Sequence, residues 1–392
     1  MIIEPAIREN ICLNAHPVGC AVQVQEQVDY VKQRGPVSGP KRVLVIGASN
    51  GYGLAARIVS TFGTDADTIG LAFERGPRAK RTGSAGWYNN EAFQALAEAE
   101  GRGAWTLNGD AFTNEIKEQV RALIREHLGQ LDLLVYSIAA PRRKDPVTEE
   151  LYSSVIKPIG EPYTATTMDF QKGTIKSVTA APATEAEIAH TVKVMGGEDW
   201  ALWINTLQQA GVLAPGFQTL AFSYIGPEST KAIYRDGTIG KAKEDLEQTV
   251  VALNEQLTPL GGQAHIGVMK ALVTRASAVI PAVPLYISLL YQVMKKKELH
   301  ENCIMQLYRL YRDVLFTGRE VPVDDQGRIR LDDWEMRPDV QQEVVELWQQ
   351  VTNDNIAQLA DIEGFRAEFL HHHGFGIPEV DYAQDVTLVT VS

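Results

Sequence analysis

Apolar positions recur along the chain in two rhythms, and the switches between them mark out the elements. Residues 42–46, 68–74, 104–110 and 131–137 are short aliphatic or β-branched runs, while residues 52–62, 91–99 and 113–127 between them carry helical spacing. Parallel strands need long crossovers, usually helices, so this alternation predicts a parallel, doubly wound α/β sheet. From residue 139 the rhythm changes. Residues 163–179, rich in Thr and Val around a turn at 171–173, predict a β-hairpin. Helices are predicted at 185–192 and 199–209, with a return to the sheet at 218–224 and a long helix at 240–257. The apolar stretch 265–272 fits helix or strand alike. Helical tracts at 285–317 and 339–358 flank a polar interval at 318–338, and residues 1–41 read as an extension ending in the polar run 34–40.

Composition narrows the function classes. Hydrophobic residues make up 45% of the chain and charged ones 22%, the balance of an ordinary globular protein. With 37 Lys and Arg against 49 Asp and Glu the net charge is −12, and no strongly basic face is predicted, which argues against nucleic acid as a partner. Cys12, Cys20 and Cys303 cannot make a disulfide framework, so a reducing cytoplasm is the expected compartment. Residues 1–8 lack the apolar core of a secretory signal. The most membrane-like stretch, 279–294, is interrupted by Pro281 and Pro284 and predicts a buried or lid-forming helix rather than a span.

The clearest chemical signal is Gly47, Ala48, Ser49, Asn50, Gly51, Tyr52 and Gly53, set between the first apolar run and the helix after it. In the spacing Gly-x3-Gly-x-Gly, the first glycine makes the tight turn. The others let the backbone approach a pyrophosphate at the helix N-terminus, so a Rossmann-type dinucleotide site is predicted. Phe73 and Glu74 close the second strand, with Glu74 21 residues after Gly53. A carboxylate there accepts the ribose hydroxyls and repels a 2′-phosphate, which favours NADH. The nearby Arg75, Arg78, Lys80 and Arg81 leave NADPH open. Asp110 and Ala111, ending the third strand, border the expected adenine position. Ile138 and Ala139, ending the fourth, flank the nicotinamide ribose.

Hydride transfer to a polarised C=O or C=C needs an acid near the developing oxyanion. A tyrosine whose pKa a neighbouring lysine lowers suits that task. Four pairs have suitable spacings: Tyr291-x3-Lys295, Tyr224-x6-Lys231, Tyr234-x6-Lys241 and Tyr234-x8-Lys243. Spacing alone does not choose among them. Order along the chain disfavours Tyr291, which lies in the apolar run after Pro284.

Whole motifs resemble the FabV-type enoyl-thioester reductases, a family of enoyl-acyl-carrier-protein reductases and trans-2-enoyl-CoA reductases. The resemblance rests on Met1-Ile-Ile-Glu-Pro5, Ala15-His-Pro-Val-Gly-Cys20, the cradle at 47–53, Phe222-Ser-Tyr-Ile-Gly226 and Tyr234-x8-Lys243. It continues in Lys270-Ala-Leu-Val-Thr-Arg-Ala276 before Ile280-Pro281, in residues 364–369 and in Gly374-Phe375. It spans nearly the whole chain, and Tyr-x8-Lys is its most specific mark. The resemblance implies a monomeric, enlarged short-chain-dehydrogenase fold that uses NADH. It assigns Tyr234 as proton donor, Lys243 as cofactor ligand and Tyr224 as substrate contact. Leu272, Val273 and Thr274 are to line the nicotinamide, and residues 280–291 to wall an acyl pocket. Residues 383–392 match nothing in the family.

One enlarged domain is therefore expected: a dinucleotide-binding half at 42–140, a catalytic and substrate half at 141–300 and a C-terminal helical part at 301–392. No metal is expected, since Cys12, His16 and Cys20 are loosely spaced and lack a fourth partner. His371, His372 and His373 predict a surface turn before Gly374. Arg142, Arg143 and Lys144 fit a CoA phosphate, an acidic carrier protein or a solvated run equally. Two other functions share these features: a β-ketoacyl or other carbonyl reductase, and a dinucleotide-sensing binding protein. The intact Tyr234/Lys243 pair stands against the second.

Overall fold

The computed structural model describes residues 1–8, 10–274, 277 and 280–388; Arg275 and Ala276 of the motif above, Val279 and residues 389–392 lie outside these. The centre is a seven-stranded sheet in which every pairing is parallel. We number its strands β1 (Arg42–Ile46), β2 (Asp67–Ala72), β3 (Ala104–Asn108), β4 (Leu131–Tyr136), β5 (Leu213–Ser223), β6 (Gln263–Val268) and β7 (Arg328–Arg330). Their order is β7-β6-β5-β4-β1-β2-β3. The chain winds outward from β1 to β3 and then returns to start β4 on the other side of β1. The C-terminal ends of β1 and β4 thus open the crevice where such sheets bind ligands.

Both faces of the sheet are buried. In β1, Val43 and Val45 face one apolar cluster and Leu44 and Ile46 face the other; in β4, Leu133 and Val135 oppose Leu134 and Tyr136. This is why these strands read as continuous apolar runs rather than alternating ones. The α-helices are α1 (Pro17–Arg34), α2 (Gly51–Ile58), α3 (Ala85–Ala99), α4 (Asn114–Leu123), α5 (Glu185–Met195), α6 (Glu198–Gln209), α7 (Thr238–Leu257), α8 (Val283–Lys296), α9 (Cys303–Arg309), α10 (Pro338–Gln350), α11 (Ile356–Leu359) and α12 (Ile362–His371). The hairpin pairs Tyr163–Asp169 with Thr174–Ala180 around the expected turn.

Several elements differ from the sequence reading. The N-terminal extension contains α1, which buries Val24, Val28 and Val31 at helical spacing and is capped by the His16 side chain. Glutamines and charges between those valines hide the stripe. Strand β2 stops at Ala72, so Phe73 and Glu74 lie just past its end. The ambiguous stretch 265–272 resolves into strand β6 followed by extended chain. The single tract expected at 285–317 breaks after Lys296, where Glu298 takes a positive φ of 57° and Asn302 caps α9. The polar interval 318–338 supplies β7, whose Arg328 and Arg330 pair with Asp324 and Asp332. Paired arginines let a polar segment join an edge of the sheet. Among the described residues, no helix is long and apolar enough to cross a membrane. Helix α8, the stretch read as buried or lid-forming, is buried from Val283 through Tyr291.

Candidate active site

The cradle residues converge where β1 meets β4. Gly47 has a φ of 87°, and a Cβ there would come within 2.0 Å of the Ser137 carbonyl oxygen; a Cβ on Gly53 would meet the Gly47 carbonyl at the same distance. Both glycines are needed for close backbone approach. Gly51 differs. A Cβ on it would find only the Thr274 methyl, at 3.9 Å, so its face is open toward the segment carrying Leu272, Val273 and Thr274. The Asn50 side chain does not cap α2, which leaves N–H groups at that end for an anion. These features fit a dinucleotide pyrophosphate.

Glu74 stands at the rim of the cradle. Its Oε1 accepts hydrogen bonds from Ser49 Oγ at 2.8 Å and Asn50 Nδ2 at 3.1 Å. Its backbone is clamped in both directions by the Asn108 side chain at the end of β3. Phe73 beside it is 77% exposed, a large apolar surface available to a ligand. Asp110 Oδ1 accepts from the Phe112 N–H. The carbonyl of Ala111 is held by the buried Lys117 ammonium, which also pairs with Asp199 at 2.8 Å. Ile138 is half-buried and Ala139 exposed just past β4. Lys117 and Asp199 escaped the sequence reading because they lie 82 residues apart on two helices.

The four tyrosine–lysine pairs separate clearly. Tyr291 is fully buried, donates to Glu368 and accepts from the Val273 N–H, while Lys295 is bound to Asp361. Lys231 and Lys241 are ion-paired on the surface, with Glu228 and Glu244. Tyr234 and Lys243 point inward together. Tyr234 sits in the turn that leads into α7, and Lys243 lies in the second turn of that helix. A Cβ on Gly240 would meet the Arg235 carbonyl at 1.8 Å, so a glycine there is needed to fold the turn onto the helix. Lys243 Nζ donates to the Phe222 carbonyl at the end of β5, at 3.1 Å. Tyr224, on the same strand exit, meets Tyr234 edge to face with ring centroids 4.8 Å apart.

Burial sets the acidities here. It raises the Tyr234 hydroxyl above the usual tyrosine range, the opposite of the lowering expected from a nearby lysine. It also lowers the Lys243 ammonium to about 8, with Glu247 pulling the other way. At neutral pH the site therefore presents a protonated tyrosine, ready to donate.

A cluster that the sequence did not disclose lies beneath these groups. Glu335, fully buried in the turn between β7 and α10, accepts from Tyr224, Tyr286 and the Ala271 N–H. Lys270 is also buried and donates to the Ala271 carbonyl. The expected turn before Gly374 is present at His372 and His373, after His371 ends α12, but it is not a surface feature: His371 pairs with Glu26, His372 bonds the Val273 carbonyl and His373 is buried. Arg143 is buried and bound to Glu198, while Arg142 and Lys144 are exposed.

Comparison with known proteins agrees with this geometry. Residues 81–316 match the model of the trans-2-enoyl-CoA reductase catalytic region, and residues 2–79 match the NAD(P)H binding domain of trans-2-enoyl-CoA reductase. The chain belongs to the trans-2-enoyl-CoA reductase family. It is 52% identical to the trans-2-enoyl-CoA reductase [NADH] of Clostridium perfringens over 391 residues, covering 100% of both chains. It is also 52% identical to the enoyl-[acyl-carrier-protein] reductase [NADH] of Flavobacterium johnsoniae, covering 99% of this chain and 98% of the other. The solved Treponema denticola trans-2-enoyl-CoA reductase in complex with NAD superposes with a TM-score of 0.96 at 48% identity, covering 98% of each chain.

A third family model, described as an enoyl reductase FAD binding domain, matches residues 323–386. That segment does not fit a flavin. Its helices α10 and α12 begin with Asp339 and with Asp361 and Glu363, carboxylates where a pyrophosphate would sit. Among the described residues it has no glycine cradle between a strand and a helix. No cluster of described residues suits a metal ion; Cys12 and Cys20 are free thiols, and His16 caps α1.

Proposed function

We propose that this chain reduces the trans-2 double bond of enoyl thioesters, carried on CoA or on acyl-carrier protein, with NADH. The observation that carries the reading is Tyr234 packed edge-on against Tyr224, with Lys243 on the same strand exit and the glycine cradle in the adjoining crevice. The Clostridium and Flavobacterium relatives bear the names of the two thioester classes.

NADH supplies the hydride, which adds at Cβ of the enoyl thioester. Tyr234, kept protonated by burial, donates to the thioester oxygen as negative charge builds there; the enol so formed takes a proton from solvent at Cα and returns the oxygen's proton to Tyr234, giving the saturated thioester. Tyr224 contacts the substrate beside it. Lys243 binds the nicotinamide ribose. Gly47, Ala48, Ser49, Asn50, Gly51, Tyr52 and Gly53 cradle the pyrophosphate. Phe73 and Glu74 hold the adenosine end, with Asp110 and Ala111 at the adenine and Ile138 and Ala139 at the nicotinamide ribose. Leu272, Val273 and Thr274 line the nicotinamide. The apolar residues of α8 and its approach wall the acyl chain.

The reading includes a single enlarged domain, divided into residues 42–140, 141–300 and 301–392. It is supported by an apolar cluster that runs from Val24 through Val135 and Leu290 to Phe369. A monomer in the cytoplasm completes the proposal. The test is steady-state NADH oxidation with crotonyl-CoA against acetoacetyl-CoA. Turnover of the first and not the second supports the reading, and the reverse points to a carbonyl reductase.

A further inference from the structure

Tyr224 is not free to turn. Its ring meets that of Tyr234 edge to face. Its hydroxyl donates to Glu335 Oε1 at 3.0 Å, and Tyr286 of α8 donates to the same oxygen at 2.6 Å. The other oxygen, Oε2, accepts the Ala271 N–H at 2.7 Å. Three donors thus converge on one fully buried carboxylate. Its counter-charge is Lys270, whose Nζ bonds the Ala271 carbonyl at 2.9 Å, so the backbone at Ala271 is gripped by an anion on one side and a cation on the other. From that residue the chain runs directly into Leu272, Val273 and Thr274.

We infer that Glu335 is a positioning residue of the reduction, one that aims the Tyr224 hydroxyl and holds the backbone leading to residues 272–274. The inference rests on the reading of Tyr234 and Tyr224 above. A carboxylate only accepts, so both tyrosines must turn their protons to it; the Tyr286 oxygen accepts in turn from Gln341 Nε2 at 3.1 Å, and the Tyr224 oxygen keeps its lone pairs for the site. Removing the negative charge reverses that order. The groups facing Glu335 are Lys270, Tyr224, Tyr286 and Asp332, with Tyr52 of α2 farther off and the neutral Gln341 of α10 bonded to the Glu335 carbonyl. Burial raises this carboxyl, while Lys270 and the hydrogen bonds pull it down.

The test uses Tyr224→Phe, Glu335→Gln and the double variant, assayed for kcat with crotonyl-CoA and NADH. Glutamine keeps an acceptor for the Ala271 N–H and turns its NH2 on the two tyrosines. Glu335→Gln is expected to lower kcat by about 10- to 100-fold, the scale of a misaimed group next to the chemistry. The double variant should be no slower than Tyr224→Phe, because both changes act through one hydroxyl. The wild-type kcat should fall as acid protonates Glu335, and that limb should be missing from Glu335→Gln. Tyr286→Phe removes a bond to the charged form, so its limb should move to higher pH. Multiplying losses in the double variant, or a wild-type rate in Glu335→Gln beside a crippled Tyr224→Phe, overturns the inference alone. A wild-type rate in Tyr224→Phe overturns the reading of the site beneath it. If Glu335→Gln does not fold, Tyr286→Phe decides: a limb that moves up supports the inference, and one that stays overturns it.

Discussion

Tyr224 and Tyr234 meet edge to face, their ring centroids 4.8 Å apart and their planes at 80°. The contact joins two segments with different origins, the exit of β5 and the turn before α7. It makes the position of each hydroxyl depend on the other ring. Of the two, Tyr234 has the lysine of its motif in the following helix, and Tyr224 is tied to Glu335.

Replacing Tyr234 with Phe keeps the ring contact and removes the proton. Turnover should fall by about 10²-fold or more, the range for losing a positioned acid. NADH affinity, measured by quenching of intrinsic fluorescence, should stay near wild type. If Tyr291→Phe stopped turnover and Tyr234→Phe did not, the choice between these tyrosines would be wrong.

The buried Lys243 gives a pH signature. Its ammonium is lowered to about 8, so it is charged below that pH and neutral above it in the free protein. An ammonium that binds the ribose is therefore lost as pH rises through about 8. The kcat/KM for NADH should fall on that side, and the profile of Lys243→Met should lack the limb. A wild-type profile that stays flat to strongly alkaline pH argues against the role given to this lysine.

Two glycines of the cradle should respond differently to the same change. Gly47→Ala forces alanine to a φ of 87° and drives its Cβ into the Ser137 carbonyl. The φ alone costs about 1–3 kcal/mol, so both Tm and NADH binding should drop. Gly51→Ala also places alanine at a positive φ, 52°, but meets only the Thr274 methyl within 4 Å, so it is spared the backbone clash. It should leave Tm closer to wild type and still weaken NADH by about tenfold or more, about 1.4 kcal/mol. Calorimetry beside a binding titration separates the two cases.

Glu74 should set the choice of cofactor. Held by Ser49 and Asn50, it keeps negative charge at the adenosine end of the cradle. Glu74→Ala should narrow the gap in kcat/KM between NADH and NADPH by about tenfold, the effect of removing one charge repulsion near the surface. A wild type that prefers NADPH would contradict this role.

The parts of the fold legible in the sequence were those where local pattern and tertiary burial agree. The strands β1 and β4 have both faces buried, and the glycines after β1 have a steric reason that spacing reports. The hairpin's Thr- and Val-rich arms and Gly173 placed its turn correctly. What stayed hidden depends on partners far along the chain. Glu335 reads as one more acid in a polar interval, and only the fold brings it to Tyr224, 111 residues earlier. The histidines at 371–373 read as surface because adjacent side chains diverge, yet His372 reaches Val273, 99 residues away. Helix α1 carried a readable valine stripe that its polar composition masked. By spacing alone Tyr234-x8-Lys243 was one of four possibilities; the family resemblance singled it out, and in the structure the lysines of the other three pairs, Lys231, Lys241 and Lys295, are ion-paired.

The most direct test of the proposed reaction follows the hydride itself. A carbonyl reductase and an enoyl reductase can share fold, cofactor and tyrosine–lysine pair, so geometry alone does not separate them. With crotonyl-CoA and NADH carrying deuterium at the transferable C4 position, NMR of the product should show butyryl-CoA labelled at Cβ. Acetoacetyl-CoA under the same conditions should come back unlabelled and unreduced. Unchanged crotonyl-CoA, with labelled 3-hydroxybutyryl-CoA formed from acetoacetyl-CoA instead, would contradict the enoyl assignment.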